Sequence, residues 1–205
     1  MTQNKTNIQS YIQIENNEIV LNGEFVFKTE ATNFGDFSKQ ALRHFEIQYP
    51  KFFKMDALSK LAFLGAELLL SPIVKENSAN NIALVLANKS ASLDTDVKHQ
   101  ESISDKENYY PSPAVFVYTL PNICLGEISI RHQLKSENTF FIFDAFNTEF
   151  MFNYSRILLN TNKAEKVLCG WTELFNDNYK AFLCIIGTEE NSKFKNETIN
   201  TLYKK

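Results

Sequence analysis

The chain has 205 residues, of which 44% are hydrophobic and 13% aromatic, which is enough to build one domain around a sizeable core. Its 24 acidic and 21 basic side chains nearly balance, giving a net charge of -3, so we expect no nucleic-acid partner and no strong attraction to anionic membranes. A polar N-terminus, and no apolar run near the roughly 20 residues that cross a bilayer, predict a cytoplasmic protein without membrane insertion.

The side chains that usually hold metals and cofactors are few and scattered. Cys124, Cys169 and Cys184 lie in apolar runs, which predicts buried, reduced thiols. No histidine has a cysteine or a second histidine at ligand spacing, so no metal site is expected. The six glycines are spread singly, which argues against the glycine-rich loops that bind ATP or NAD. We therefore expect neither a metal nor a cofactor.

The first half of the chain contains patterns of short strands, of one helix and of one buried strand. Residues 8–14 and 25–28, separated by a turn-like LNG sequence, are typical of short strands or a hairpin. Helical spacing of apolar residues predicts a helix that Asp56 caps and that Ser71 and Pro72 end, apolar on nearly all sides. Residues 81–87 form an unbroken apolar run, which predicts a strand buried on both faces.

The second half alternates apolar runs with helical patterns. The runs at 139–143, 166–169 and 181–186 predict strands, and the patterns at 122–134 and 149–160 predict helices, one before and one after the strand at 139–143. A short polar link at 172–179 permits an antiparallel return. Residues 96–111 are typical of a long loop, and residues 188–205 of a polar, loosely held tail. This alternation predicts an α/β layered domain with a mostly parallel sheet.

Residues 111–133, PSPAVFVYTLPNICLGEISIRHQ, carry the most specific pattern. Pro121 suits the first turn of a helix that Thr119 caps, and Gly126 on that helix predicts close approach of another backbone. The elements that matter are Ser112-Pro113, Phe116, Leu120-Pro121-Asn122 and Gly126.

This segment resembles the N-terminal half of the β-ketoacyl synthases, the thiolase-fold condensing enzymes of fatty-acid and polyketide synthesis. Residues 81–96 and the sequence KVLCGWTEL at 166–174 extend the resemblance, which covers about residues 45–187. It is nearest to small synthase-like proteins of aryl-polyene and flexirubin pathways. The resemblance implies a single synthase N-terminal-like domain over residues 1–187, a thiolase-like half whose mixed, mainly parallel five-stranded sheet has helices on both faces. A polar tail over residues 188–205 follows it.

The resemblance also implies where a nucleophile would lie, on the elbow that follows the strand TFFIF. Aligned on Asp144 and Ala145, the family's cysteine position falls on Phe146; counted back from Gly170, it falls on or next to Ala145. Neither residue is a thiol. The two catalytic histidines belong to the family's C-terminal half, which we do not expect within these residues. We therefore expect no catalytic residue and no condensation by this chain alone.

Two noncatalytic roles follow from the resemblance. As a subunit, the chain forms a homodimer, or a heterodimer with a synthase subunit, through the strand of Thr139, Phe140, Phe141, Ile142 and Phe143. As a binding module, it holds an acyl chain or an acyl carrier protein, with a pocket drawn from Phe116, Asn122, Phe143, Phe146 and Phe150.

Two further alternatives stay open. In one, Cys124 serves as a relocated nucleophile of a cysteine acyltransferase, because the first turn of a helix lowers the pKa of a thiol. In the other, Phe146 is a core aromatic of an unrelated α/β protein.

Overall fold

The computed structural model describes residues 6–75, 78–107, 109–189, 192–194 and 197–204. Within them the chain forms strands β1 Asn7–Glu15, β2 Glu18–Leu21, β3 Glu24–Lys28, β4 Ile82–Asn88, β5 Asn138–Ile142, β6 Lys166–Phe175 and β7 Asn178–Gly187. The α-helices are α1 Phe34–His44, α2 Ala57–Leu70, α3 Leu93–Ser104, α4 Pro113–Val117, α5 Ile123–His132, α6 Thr148–Asn160 and α7 Ile199–Tyr203. A short 3₁₀ helix, Pro50–Lys54, precedes α2.

All seven described strands belong to one mixed sheet in the order β3-β2-β1-β7-β6-β4-β5. Strand β4 runs parallel to β5 and to β6, and the four other pairings are antiparallel. The α/β class and the mixed sheet are confirmed, but the sheet has seven strands instead of five and only its β5 side is parallel.

Asparagine-rich turns explain the difference in strand number and direction. Asn16-Asn17, Asn22-Gly23 and Asn176-Asp177 all have positive φ angles, a conformation that asparagine, aspartate and glycine tolerate. Such two-residue turns close antiparallel hairpins, so the two segments expected at 8–14 and 25–28 become three strands. For the same reason β6 continues through the first half of the predicted link and ends at Phe175.

The helices cover both faces of the sheet, as expected. Helix α2 packs on β1, β6 and β7, with α1 and α5 against it, while α6 and α7 lie on the opposite face. The Asp56 carboxylate caps α2 by accepting a hydrogen bond from the N–H of Ser59 at 2.9 Å. The helix ends at Leu70, before Ser71. The predicted sandwiched helix and the fully buried strand β4 are both confirmed.

Three local expectations were wrong. Residues 96–104 of the loop expected at 96–111 belong instead to helix α3; only Thr95 on this helix is buried, so it lacks the apolar stripe that reveals a helix in sequence. The Thr119 hydroxyl donates to the carbonyl of Phe116 at 2.7 Å and does not cap α5. A Cβ on Gly126 would meet nothing within 4 Å, so no backbone approaches it.

The segment after residue 187 also differs from the loosely held tail that was expected. Thr198 and Thr201 form a capping box at the start of α7, and Ile199 and Leu202 are buried against the sheet. The Gln13 side chain donates a hydrogen bond to the carbonyl of Leu202 at 3.1 Å. The boundary at residue 187 stays a prediction, but the end of the chain is packed on the α6 face.

Candidate functional site

The elbow between β5 and α6 has the geometry of a strand-to-helix turn. Strand β5 ends at Ile142, α6 begins at Thr148, and the Asn147 side chain caps the helix by accepting from the N–H of Phe150 at 3.1 Å. Backbone N–H groups at a helix N-terminus favour negative charge, which is why such elbows suit a nucleophile. Here the turn is present, and the two residues expected at the nucleophile position are Phe146 and the exposed Ala145.

An aromatic cage surrounds Phe146. Its ring centroid lies 5.0 Å from that of Tyr203, 5.6 Å from Trp171 and 6.1 Å from Phe182. Strands β6 and β7 and helix α7 supply these three rings. Sequence reasoning missed Tyr203 because it lies in the polar segment that was expected to be loose. Packing of this kind stabilises the elbow, and it offers no nucleophilic atom.

The three thiols are buried, and that of Cys169 donates to the carbonyl of Met151 on α6 at 3.8 Å. Cys124 is 1% exposed, and its thiol donates to the carbonyl of Pro121 at 3.1 Å. Burial, with a smaller contribution from Asp56, raises the pKa of Cys124, the reverse of the shift expected for a helix first turn. Burial likewise raises the pKa of Cys184, which faces Cys169 across the β6–β7 pair. A thiol held protonated in the core is a poor nucleophile.

The predicted pocket residues do not converge on one site. The rings of Phe143 and Phe150 are 5.3 Å apart, and Phe141 and Tyr154 join them. These four residues form what we call the β5–α6 aromatic surface. Phe146 lies in its separate cage, beside a cleft of about 600 Å³ that also contacts the start of α6 and residues 197–200.

The other two pocket candidates lie on the α4–α5 segment. Phe116 is 60% exposed on α4, with its ring 5.4 Å from that of His99. Asn122 occupies the N-cap position of α5 and makes no side-chain capping bond. Among the five candidates, the structure therefore brings together Phe143 and Phe150 only.

The predicted pairing strand is the last strand of the described sheet. Strand β5 pairs with β4 on one side, and its opposite edge carries no further strand in the ranges that the structure covers. Ile142 on this edge is 49% exposed. Free N–H and C=O groups beside partly exposed aromatic side chains make a template for another strand. Whether a second chain pairs here stays a prediction.

Two classes of site are not found in the part of the chain that the structure describes. No cluster of three or more histidine, cysteine, aspartate or glutamate side chains is arranged to hold a metal ion. No helix in the same residues combines the length and apolar character that a membrane crossing needs.

The fold is similar to several solved structures. The ishigamide ketosynthase/chain length factor aligns with a TM-score of 0.68 at 15% identity, over 93% of this chain and 64% of that one. A ketosynthase (ApeO) in complex with its chain length factor (ApeC) from Xenorhabdus doucetiae gives a TM-score of 0.57 at 14% identity, over 92% and 80% of the two chains. The chain has a ketosynthase-like fold. The sequence matches no family model and no curated protein.

This ketosynthase-like fold confirms what the resemblance implied about architecture. A β-ketoacyl synthase from Burkholderia phymatum aligns with a TM-score of 0.59 at 11% identity, over 91% of this chain and 60% of that one. The chain thus spans less than two thirds of the length of the first and third of these structures. At such low identities the comparisons establish the fold, and the chemistry must be argued from the elbow itself.

Proposed function

We propose that this chain is a catalytically silent ketosynthase-like subunit that pairs with an active ketosynthase in fatty-acid or polyketide synthesis, of the aryl-polyene type. The observation that carries the proposal is Phe146, which occupies the elbow position where the family's cysteine would lie. Its ring is held by Trp171, Phe182 and Tyr203.

Silence follows from the chemistry of the available groups. Condensation needs a thiolate that attacks a thioester at a helix N-terminus. The three thiols of the chain are buried, and burial raises the pKa of Cys124 and Cys184. The same observations argue against an acyltransferase that uses Cys124. A shape-giving role remains available, because an aromatic cage at this position can limit or line a neighbouring acyl chain without bonding to it.

Strand β5 and helix α6 supply the surface through which we propose that the chain pairs. The free edge of β5 offers backbone hydrogen bonds, and the β5–α6 aromatic surface offers the large, rigid rings that are enriched at protein interfaces. Ile157 on α6 extends this surface at 57% exposure, and Ile142, on the other face of the edge strand, is 49% exposed. One of the similar structures is a ketosynthase solved in complex with its chain length factor, which supports a heterodimer over a homodimer.

An acyl-carrier-binding role is the second candidate. A similar structure, with a TM-score of 0.60 at 12% identity over 91% of this chain and 63% of that one, is described as an acyl-carrier protein in complex with its ketosynthase. The cleft of about 600 Å³ beside Phe146 is the place where such a carrier's arm would reach. This candidate requires binding of carrier protein without a ketosynthase subunit, so one experiment separates the two.

The test is reconstitution with three purified components: this chain, a ketosynthase from the same genome, and an acyl carrier protein loaded with acyl thioester. We expect a 1:1 complex of the chain with the ketosynthase by light scattering. After incubation, intact-mass spectrometry should find the acyl mass on the ketosynthase and none on this chain. A ketosynthase whose cysteine is replaced is the control for nonspecific acylation. An acyl mass on this chain would falsify silence, and binding of carrier protein alone would favour the second candidate.

A further inference from the structure

A second cavity lies at the carboxyl ends of β4 and β6. Its volume is about 630 Å³, within the range of small-molecule sites, and it shares no lining residue with the cleft beside Phe146. The segments that follow β4 and β6, together with the starts of α1, α2 and α4, supply its walls. Ligands of open α/β sheets bind characteristically beyond the carboxyl ends of the strands, so the position itself suits a ligand.

The acidic side chains in the wall are already engaged. Each accepts a hydrogen bond from a backbone N–H group: Asp56 from Ser59 at 2.9 Å, Asp94 from Asn176 at 3.2 Å and Asp177 from Phe34 at 3.3 Å. The second oxygen of Asp56 accepts from the Thr95 hydroxyl at 2.8 Å, and Asp94 also forms an ion pair with Lys98 at 2.6 Å. These bonds fasten α1, α2 and α3 to one another and to the β6–β7 turn. The carboxylates therefore hold the walls in place.

Three lysines line the cavity: Lys98 is paired with Asp94, Lys54 is exposed, and Lys60 is the half-buried one without an ion-pair partner among the described residues. Lys60 lies on α2, and among the residues that the structure describes no carboxylate comes within 4.0 Å of its Nζ atom. Its recorded contact is with the ring of Phe52, 6.0 Å from Nζ. Burial lowers the pKa of Lys60, although Asp56 opposes the shift. An ammonium partly removed from water gains when an anion accepts its hydrogen bonds.

Part of the remaining lining is apolar. Phe34 from α1, Val115 and Tyr118 from the α4 region, and Leu174 from β6 all line the cavity. Val115 is partly exposed, whereas Phe34 and Leu174 are only 2% and 3% exposed. A ligand with an apolar body would therefore cover Val115 and fill the space beside the other two side chains with van der Waals contacts.

We propose that this cavity binds a small organic monocarboxylate with an apolar or aromatic body, the carboxylate paired with Lys60 and the body against Phe34, Val115 and Leu174. A single negative charge is specified because the wall carries three lysines and three aspartates, and Lys60 is its one half-buried cation without a carboxylate partner among the described residues; a second negative charge would meet Asp56 and Asp177. A phosphate dianion is therefore a poor ligand. The site does not depend on the proposed subunit role, since it lies at a different place in the fold and needs no partner chain.

The experiment is a calorimetric titration of the full-length chain with 4-phenylbutyrate. Its neutral and dianionic counterparts, 4-phenylbutanol and 4-phenylbutyl phosphate, are titrated under the same conditions. We expect saturable binding of the carboxylate and at least about tenfold weaker binding of the other two compounds. No saturable binding of the carboxylate up to about 10 mM, or tighter binding of the alcohol or the phosphate, overturns the site.

Two variants place the ligand. Lys60→Met keeps the length of the side chain without its charge and should weaken 4-phenylbutyrate about tenfold, whereas Lys163→Met, on the exposed turn after α6 and outside the lining, should leave affinity unchanged. Val115→Trp fills the space from the opposite wall and should abolish binding even if Lys60→Met folds poorly. Urea unfolding of each variant reports folding separately. Equal affinity of the wild type and the folded Lys60→Met or Val115→Trp chain refutes the proposal.

Discussion

The ring of Tyr203 packs edge-on against the ring of Phe146, with their centroids 5.0 Å apart. Tyr203 also meets the ring of Phe182 at 5.8 Å, and the Lys180 ammonium lies 4.7 Å from the centroid of Tyr203. Helix α7 therefore packs on the elbow between β5 and α6 beside the cleft. This packing should be measurable as stability.

Removing the Tyr203 ring should weaken the packing of α7 on the elbow. Tyr203→Ala is expected to lower the free energy of unfolding by about 2 kcal/mol, because a half-buried aromatic side chain loses its contacts with two other rings. Tyr203→Phe keeps the ring and is the matched control, expected within about 0.5 kcal/mol of the wild type. Urea unfolding followed by Trp171 fluorescence measures both. Equal stability of the two variants would show that α7 contributes nothing to the elbow.

The elements that the sequence revealed are those whose stability comes from a regular apolar pattern. Helix α2 and strand β4 could be placed within a residue or two because nearly every side chain on them is buried. Helix α3 could not be placed, because Thr95 is its one buried residue. Its exposed side carries ion pairs such as that of Asp94 with Lys98. Helix α7 was missed because two buried residues in a polar segment give no periodic signal.

Prediction of the site from the sequence was limited in the same way, as the elbow between β5 and α6 shows. The strand, the break and the helix of the elbow could be predicted because they are local features; that Phe146, or its neighbour Ala145, stands at the family's nucleophile position stays a prediction from the resemblance. The rings that enclose it, Trp171, Phe182 and Tyr203, come from three separate elements, so their meeting is a property of tertiary packing. A sequence pattern reports on neighbours along the chain and therefore cannot predict that packing.

Two glycines are expected to respond in opposite ways to alanine. A Cβ on Gly170 would overlap the carbonyl oxygen of Phe182 and lie 2.7 Å from Leu183 Cδ2, so Gly170→Ala should cost about 3 kcal/mol or more. Gly126 is exposed on α5 with open space around it, so Gly126→Ala should raise the free energy of unfolding by up to about 1 kcal/mol. Thermal unfolding of the pair measures both signs. A destabilised Gly126→Ala chain would reveal a contact that the structure does not contain.

The buried carboxyl of Glu67 should make stability depend on pH in the acid range. Burial opposes its ionisation, but hydrogen bonds from His132 and Arg131 outweigh this and lower its pKa to about 2, from an ordinary value of 4.5. The Arg131 guanidinium is held in two bonds, at 2.5 and 3.0 Å. Because the folded-state pKa is the lower one, this contribution is complete above pH 4.5 and disappears as the pH falls towards 2.

Glu67→Gln is therefore expected to lower the free energy of unfolding by about 3 kcal/mol at pH 7 and by much less near pH 2.5. Urea unfolding at a series of pH values gives the two curves. Glu149→Gln changes an exposed carboxylate on α6 and should shift stability by less than about 0.5 kcal/mol at every pH. A constant difference between wild type and Glu67→Gln across this range would contradict the lowered pKa.

A thiol placed at the elbow should behave differently from the native thiols. In the folded wild-type chain we expect no alkylation by iodoacetamide, because Cys124, Cys169 and Cys184 are all buried, and three additions after denaturation. Phe146→Cys should add one reactive thiol in the native state, with its pKa lowered by the N-terminus of α6.

The control is Phe152→Cys, one turn further along α6 and lining the same cleft, where the helix N-terminus has less influence. Alkylation rates measured against pH should give a lower thiol pKa at position 146 than at position 152. Rapid modification of native Cys124 would show that its burial is incomplete, and equal pKa values at the two positions would remove the electrostatic argument for the elbow.

The pairing proposal predicts that the two edges of the sheet respond differently to charge. Ile142→Lys places an ammonium on the free edge of β5 and should prevent co-purification with the ketosynthase, because an edge lysine blocks the approach of another strand. Phe25→Lys makes the same change on the opposite edge strand, β3, at a side chain that is 74% exposed, and should leave the complex intact. Both variants should unfold within about 0.5 kcal/mol of the wild type, since both positions are exposed. Light scattering of each variant with the ketosynthase measures the outcome; loss of the complex with Phe25→Lys alone would move the interface to the other end of the sheet.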